Sequence, residues 1–205
     1  MPRSLSKAEV SDFRDRLCDA AATIFAERGR EGFTLRELAN ALGVSAMTPY
    51  RYFHDKDEIL AAVRTRAFNA FAKALEQAFG APGTALEKGS AAARAYFRFA
   101  LDDPTSYKLM FDLSQDDERY PELKSAAVRS RATLTQHIYP LVKAGLVAGD
   151  PELIGHAFWA FMHGAVMLRL AGKLDCDFDA LVEQGMVAMT RGFGPDGVRR
   201  GHSPA

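Results

Sequence analysis

Apolar residues recur along this chain at the three-to-four-residue spacing of a helix face, and alternating strand-type runs are almost absent. Phe13, Leu17, Ala20, Ala21, Ile24 and Phe25 mark one face of a first helix. Ser6 and Glu9 precede that face in capping-box register, Leu5 and Val10 are placed as a hydrophobic staple, and Gly29 closes the helix. Thr34 and Glu37 form a second capping box flanked by Phe33 and Leu38, and Gly43 keeps the helix it opens short. Ser45 can then cap a further short segment that ends near Phe53. The Asp55 to Glu58 run starts a fourth helix with Ile59, Val63, Ala67, Ala70, Phe71 and Leu75 on one side. Ala81, Pro82 and Gly83 close this region and mark a boundary.

The same periodicity predicts five more helices. One covers 85–101, and a short one through Leu109, Met110 and Phe111 begins with Asp103 as N-cap and Pro104 at the first helical position. An acidic loop, Asp116, Asp117 and Glu118, follows. A long helix over 122–146 should be kinked or interrupted by Pro140. Asp150 and Pro151 open a helix to about residue 172, and residues 178–193 form the last. The expected fold is all-α with about nine helices: an N-terminal three-helix domain over 1–55, a connecting helix over 56–80, a helical domain over 84–194 and a flexible tail over 195–205.

Two short helices joined by a Gly-containing turn are the makings of a helix-turn-helix. Thr34–Leu42 would support, Gly43 and Val44 would turn, and Ser45–Tyr52 would be the recognition helix; Ala39 is small enough to allow a close approach, and Leu38, Leu42 and Val44 are spaced to pack inward. Ala21, Phe25, Gly29, Phe33, Thr34, Leu38, Ala39, Gly43, Val44, Ser45, Tyr50, Arg51, Tyr52, Phe53, Lys56 and Leu60 stand in an order and spacing that resembles the tetracycline-repressor (TetR) family. The segments Tyr107–Phe111 and Trp159–Gly164 look similar to a C-terminal subgroup known for a Trp-His-Gly signature. Met47 and Pro49 depart from the family, which usually has a small and an aliphatic residue there. Pro49 lacks a backbone donor, so either the helix starts at Ser45 with Pro49 at its limit, or Thr48 is the N-cap. Both alternatives keep Tyr50 onward helical.

Phosphates are contacted by cations, hydroxyls and helix N-termini, for which Thr34, Tyr50, Tyr52, His54 and Lys56 are candidates. For one of the two tyrosines packing is the alternative role. Base edges would meet Ser45, Ala46, Met47 and Thr48, with Arg36 and Arg51 nearby; the apolar atoms of Ala46, Met47 and Thr48 suit a thymine methyl. Arg3 and Lys7 could form an arm toward the minor groove.

Charge does not decide the matter. The chain is neutral overall, with 26 Lys+Arg against 26 Asp+Glu, and residues 1–66 hold 11 against 10, so any nucleic-acid case rests on where the charges sit. The 48% hydrophobic and 25% charged content is that of a soluble globular protein; no uninterrupted apolar run reaches bilayer length and no secretory leader is visible. Cys18 and Cys176 lie far apart and outside any ligand cluster, so both read as packing residues in a reducing cytoplasm. His137, His156 and His163 have no carboxylate or cysteine at ligand spacing, and no cofactor or metal is expected. No Gly-rich phosphate loop, zinc-protease motif or nucleophile elbow appears, which speaks against an enzyme.

The family resemblance implies a dimer on near-palindromic operator DNA and a small-molecule effector, most simply as a repressor. Leu153, Ala157, Phe161, Ala165 and Leu168, with Phe178, Leu181, Val182, Gly185 and Met189, form apolar stripes suited to the subunit interface. Tyr96, Phe97, Met110, Phe111, Trp159, Met162, His163 and Met167 are candidate effector contacts, although any one of them taken singly is more often plain core. Trp159 and His163, four residues apart, can touch.

Overall fold

The computed structural model describes residues 6–29, 32, 34–111 and 117–195. Arg3, Leu5, Phe33, Asp116, the Lys7 side chain and the tail beyond Pro195 lie outside the described residues. Among the described residues there are nine α-helices and no strand: α1 (Lys7–Arg28), α2 (Leu35–Ala41), α3 (Lys56–Gly80), α4 (Ala85–Asp102), α5 (Pro104–Phe111), α6 (Pro121–Thr135), α7 (Ile138–Lys143), α8 (Pro151–Leu170) and α9 (Phe178–Gly192). Two single 3-10 turns, Pro49–Arg51 and Asp117–Arg119, complete the order.

The start signals are used as chemistry demands. Ser6 accepts from the Glu9 amide at 3.2 Å while the Glu9 carboxylate accepts from the Ser6 amide at 2.7 Å. That backbone bond holds the Glu9 carboxyl below its usual range. Thr84 and Glu87 make the same reciprocal cap for α4. Asp150 caps α8, with Pro151 in its first turn.

The segment over 122–146, expected to be kinked or interrupted by Pro140, is two helices broken at Gln136 and His137, upstream of the proline, and it ends at Lys143. A proline cannot donate to the carbonyl four residues earlier and its ring clashes with it, so Pro140 disrupts the chain at Gln136 and is itself accommodated in the first turn of α7. No uninterrupted apolar run is of bilayer length, yet α8 by length and average composition is apolar enough to cross a membrane, alone in this among the described helices. Glu152, His156, His163 and Arg169 punctuate it without lowering its average enough to matter.

The chain divides into two compact units, Met1–Phe68 with Thr105–Ala127, and Asn69–Pro104 with Val128–Ala205. Residues 105–127, contiguous in sequence with the C-terminal part, thus group with the first unit. In that unit Leu17, Leu38, Phe53, Ile59, Leu60 and Leu109 share one core. Arg64 of α3, only 6% exposed, donates from Nε to the Leu109 carbonyl at 3.1 Å and from Nη2 to the Met110 carbonyl at 3.3 Å. A guanidinium thereby satisfies carbonyls at the negative end of α5. Arg66 holds α3 to α1 through Asp19 at 2.7 Å.

The second unit is built on rings. Phe71 meets Tyr96 and Phe99 edge-on, each at 5.3 Å between centroids, and Tyr96 leads to Phe97 and Phe97 to Phe178, both at 5.7 Å. A ring rests directly on Gly185 of α9: a Cβ there would lie 2.1 Å from Cζ of Phe161 on α8, so only glycine permits this approach. Cys18 is buried as expected, but Cys176 is exposed, because the loop between α8 and α9 has nothing packed over it there.

Candidate functional site

The helix-turn-helix begins at Thr34, whose side chain accepts from the Glu37 amide at 3.3 Å and donates to the Glu37 carboxylate at 3.1 Å. The Thr34 amide donates to the same carboxylate at 2.9 Å, and Arg28 pairs with Glu37 at 3.3 Å. The cap therefore consumes the hydroxyl and amide of Thr34, and any phosphate arriving there competes with Glu37. Helix α2 ends in a Schellman motif: Val44 N–H donates to the Ala39 carbonyl at 3.0 Å and Gly43 N–H to that of Asn40 at 3.1 Å. Gly43 has φ +64°, the left-handed conformation this turn requires. Leu38 and Ala39 are fully buried beneath it, whereas Leu42 and Val44 are half-buried.

Beyond the glycine turn the backbone differs from the expected recognition helix over Ser45–Tyr52. The segment is a turn at Ala46 and Met47 leading into the single 3-10 turn Pro49–Arg51. Pro49 has no N–H to give the Ser45 carbonyl, which instead accepts from Thr48 at 2.8 Å. Bonds from Arg51 to Thr48 and from Tyr52 to Pro49 continue the tighter pattern. Thr48 occupies the N-cap position with Pro49 next, but its side chain caps nothing, and the hydroxyl of Ser45 accepts from the Met47 amide at 3.4 Å. Pro49 is buried and anchors the turn, which leaves its outer side free to project.

That outer side carries Ser45, Ala46, Met47, Tyr50 and Arg51, all exposed, with Met47 the most exposed large apolar side chain at 67%. Arg36 and His54 are exposed, and Thr48 and Lys56 are partly so. Among the described residues no ion pair ties down Arg36 or Arg51. The two tyrosines separate: Tyr50 stands out at 49% exposure, whereas Tyr52 packs on the core with its ring 4.8 Å from Phe13. Phe53 is core, 2% exposed.

Sequence reasoning missed Arg14, Asp55 as a clamp, and Arg119. Arg14 donates to the Tyr52 carbonyl at 2.5 Å and lies over the Phe53 ring at 4.1 Å, holding the end of the recognition turn against α1. Asp55 accepts from the Glu58 amide at 2.8 Å and pairs with Arg119 at 2.8 Å. Burial pushes the Asp55 carboxyl up, but the Glu58 amide and the Arg119 guanidinium outweigh it and hold it below its usual range. Nothing local in the sequence marks these contacts, since the Arg14–Tyr52 and Arg119–Asp55 partners are 38 and 64 residues apart.

The expected effector residues divide between the two units. Met110 and Phe111 fall in the first unit; Tyr96, Phe97, Trp159, Met162, His163 and Met167 fall in the second. Tyr96, Met110 and Met162 are sealed in cores, at most 3% exposed. Trp159 and His163 do sit near one another, 6.4 Å between ring centroids. Two open spaces lie elsewhere in the second unit. A cavity of about 370 Å³ is bounded by α4, α7, α8 and α9, with Gly89, His137, Leu141, Phe158, Met186 and Arg191 in its wall. A second, of about 660 Å³, adjoins it between α4 and α9, sharing Ser90, Met186 and Val187 and adding Phe97 and Phe178. Phe97 is the one anticipated effector residue that lines either.

The anticipated interface residues also divide. Ala165 is buried by its own chain, Phe161 and Gly185 pack on each other, Phe178 meets Phe97 edge-on, and Val182 lines the larger cavity. Leu181 and Met189 are half-buried. Leu153 at 65% and Leu168 at 46% exposure remain outward, and Ala157 is partly exposed between them. No group of three metal-capable side chains occurs among the described residues.

Such a fold, with a capped helix, a tight glycine turn and an exposed reading turn, defines a helix-turn-helix DNA-binding protein. Residues 17–63 match the family model for bacterial regulatory proteins of the tetR family, and residues 90–189 match that for the tetracyclin repressor-like C-terminal domain. The chain belongs to the TetR family and is a DNA-binding transcriptional regulator, not an enzyme. The transcriptional activator FasR of Mycolicibacterium smegmatis is 26% identical over 83% of this chain and 78% of its own. A solved protein of unknown function from Rhodococcus sp. RHA1 is 26% identical with a TM-score of 0.79, over 95% of this chain and 99% of its own. The TetR family regulator PfmR of Thermus thermophilus shares the fold at 22% identity and a TM-score of 0.70, over 88% of this chain and 99% of its own.

Proposed function

We propose that this regulator is a cytoplasmic, ligand-responsive repressor that grips a near-palindromic operator as a homodimer. The observation that carries the reading is the outward face of the recognition turn, where Met47, Tyr50 and Arg51 are exposed beside Arg36 on a rigidly capped support. Ser45, Ala46, Met47 and Thr48 meet base edges, and Tyr50, Arg51, His54 and Lys56 meet phosphates around them. Thr34 contributes to positioning only where a phosphate displaces Glu37, and Tyr52 acts through packing.

Residues 1–55 serve as the DNA-binding part, 56–80 as the connecting helix and 84–194 as the ligand-binding and dimerisation part. One turn-sized reader touches too few base pairs to be selective, so two copies are needed on a two-fold site. Leu153, Ala157 and Leu168 lie along one outward line of α8, with Gly164 of the same line open to close approach. Covering this face with a second copy accounts for the apolar character of α8 without a membrane. Dimers and small-molecule effectors are typical of the family.

An effector in the C-terminal part would favour a dimer whose reading turns are wrongly spaced; shifting operator occupancy from nearly full to nearly empty takes about 5.5 kcal/mol of discrimination between the two states. A second reading, activation, draws on the likeness to the activator FasR. A mobility shift on the DNA upstream of the protein's own gene, over several salt concentrations, tests the core of the proposal. A discrete complex that outcompetes random DNA and weakens steeply with salt is expected. Absence of any preference would count against operator binding there, and a reporter assay with and without the gene separates repression from activation.

A further inference from the structure

The cavity of about 370 Å³ is lined mostly by apolar side chains, and of its polar ones, Ser90, His137, Thr190 and Arg191, His137 alone is buried, at 8% exposure. Its Nδ1 lies 3.3 Å from the Thr133 carbonyl, a contact that requires the proton on Nδ1 and leaves Nε2 as a bare acceptor. The ring's Cδ2, adjacent to Nε2, is 3.9 Å from where a Cβ would stand on Gly89, another residue of the same wall. The Cδ2 side of the ring thus lies toward α4, whose Gly89 and Ser90 share the cavity wall with His137. Burial also lowers the pKa of this imidazole, so the acceptor is present at neutral pH.

Other polar groups leave His137 with the decisive role. The Thr190 hydroxyl already donates to the Met186 carbonyl at 2.8 Å, and Arg191 is exposed at the rim. In the adjoining space Arg94 and Arg98 are matched by Asp179 and Glu183, so no net charge invites an anion. Leu86, Ile138, Leu141, Phe158, Met186 and Val187 supply the rest of the wall. At this volume the site suits a small organic molecule with mostly apolar surface.

We propose that this cavity binds an uncharged, largely apolar molecule bearing a hydroxyl, an alcohol or phenol, whose O–H donates to Nε2 of His137. The assignment rests on the effector reading above and gives it a chemical class. It differs from the residues that the sequence singled out, since neither Trp159 nor His163 takes part.

Isothermal titration of the full chain without DNA, using naphthol, its methyl ether and naphthoate as probes, tests it. Naphthol is expected to bind about threefold to tenfold more tightly than the ether, the size of one neutral hydrogen bond, and naphthoate more weakly than both. His137→Leu should bring naphthol and ether to equal affinity. Should that variant fail to fold, Gly89→Ala replaces it: the added methyl sits 3.8 Å from Leu141 Cδ1, an ordinary contact, and should weaken naphthol and ether alike by filling the space. No saturable binding of any probe, equal affinity of naphthol and ether in the unaltered protein, or preference for naphthoate would overturn the proposal. Naphthol binding with the expected preference but with no change in operator occupancy would uphold the site and sink the effector reading alone.

Discussion

The two compact units are made of the same kind of amphipathic helix, yet they close their apolar faces to different extents. In the first, Leu17, Leu38, Ile59 and Leu60 reach zero exposure, and Met47 and Tyr50 are the large hydrophobic side chains of the turn after α2 that stay outside. In the second, α9 contains no buried residue, although Leu181, Val182 and Met189 are spaced as one stripe. Its neighbour α8 keeps Leu153 and Leu168 in solvent. A helix that apolar gains free energy only by being covered, at roughly 25 cal/mol for each Å² removed from water. The first unit is thus completed by its own chain, and the second invites a partner.

The largest effect that would break this contrast comes from charging the open face. Leu153→Glu with Leu168→Glu should yield a monomer by analytical ultracentrifugation and cost assembly about 3–5 kcal/mol, the penalty of unpaired charges buried at an interface. Operator binding should fall with it while unfolding of the isolated subunit stays unchanged. A dimer that survives both substitutions would mean that the second unit is as self-contained as the first.

Next in size is Gly185→Val, which presses a branched side chain into the Phe161 ring. Overpacking of this sort costs about 1–3 kcal/mol, read by urea unfolding followed through Trp159, the single tryptophan of the chain. Tyr50→Ala acts on the other unit. It removes an exposed side chain, so thermal stability should hold while operator affinity drops by about tenfold, near 1.4 kcal/mol. Unchanged affinity would move the DNA-binding face away from the recognition turn.

The same contrast explains what could be read from the chain. Ser6 with Glu9, Thr34 with Glu37, Gly43 and the Asp150–Pro151 pair are signals within four residues of their effect, and each lies at the helix end it specifies. Pro49 was legible as a departure, but its consequence, a 3-10 turn in place of an α-helical one, depended on which donor the Ser45 carbonyl would lose. Tyr50 and Tyr52 could not be told apart, because the difference is made by Phe13, nearly forty residues earlier. Long-range packing likewise hid the cavity: large aromatic residues such as Tyr96 fill space and thereby vanish into the core, while Gly89 and Ser90 leave it open. Size and aromaticity point to where a chain is dense, and empty space is made by small residues facing each other across helices.

The smallest expected effect is a pH dependence near neutrality set by His137 of the second unit. His137 is held neutral by burial, so its folded pKa lies below the ordinary value of 6.5 while the unfolded chain titrates near it. As pH falls through about 6.5 the unfolded state takes up a proton that the folded state refuses. The stabilisation is therefore complete above that value, is lost on acidification toward the lowered folded pKa, and levels off below it, with a slope no steeper than about 1.4 kcal/mol per pH unit. The lowered carboxyls of Glu76, beside Arg129, and Glu87, bonded to the Thr84 amide, contribute with the same sign but only as pH falls below about 4.5, their usual value. Urea unfolding followed by Trp159 fluorescence between pH 5 and 8 separates the two windows. His137→Gln keeps a neutral polar side chain and should flatten the curve in that range; a slope that persists in the variant would assign it to another group and leave His137 with no special burial cost.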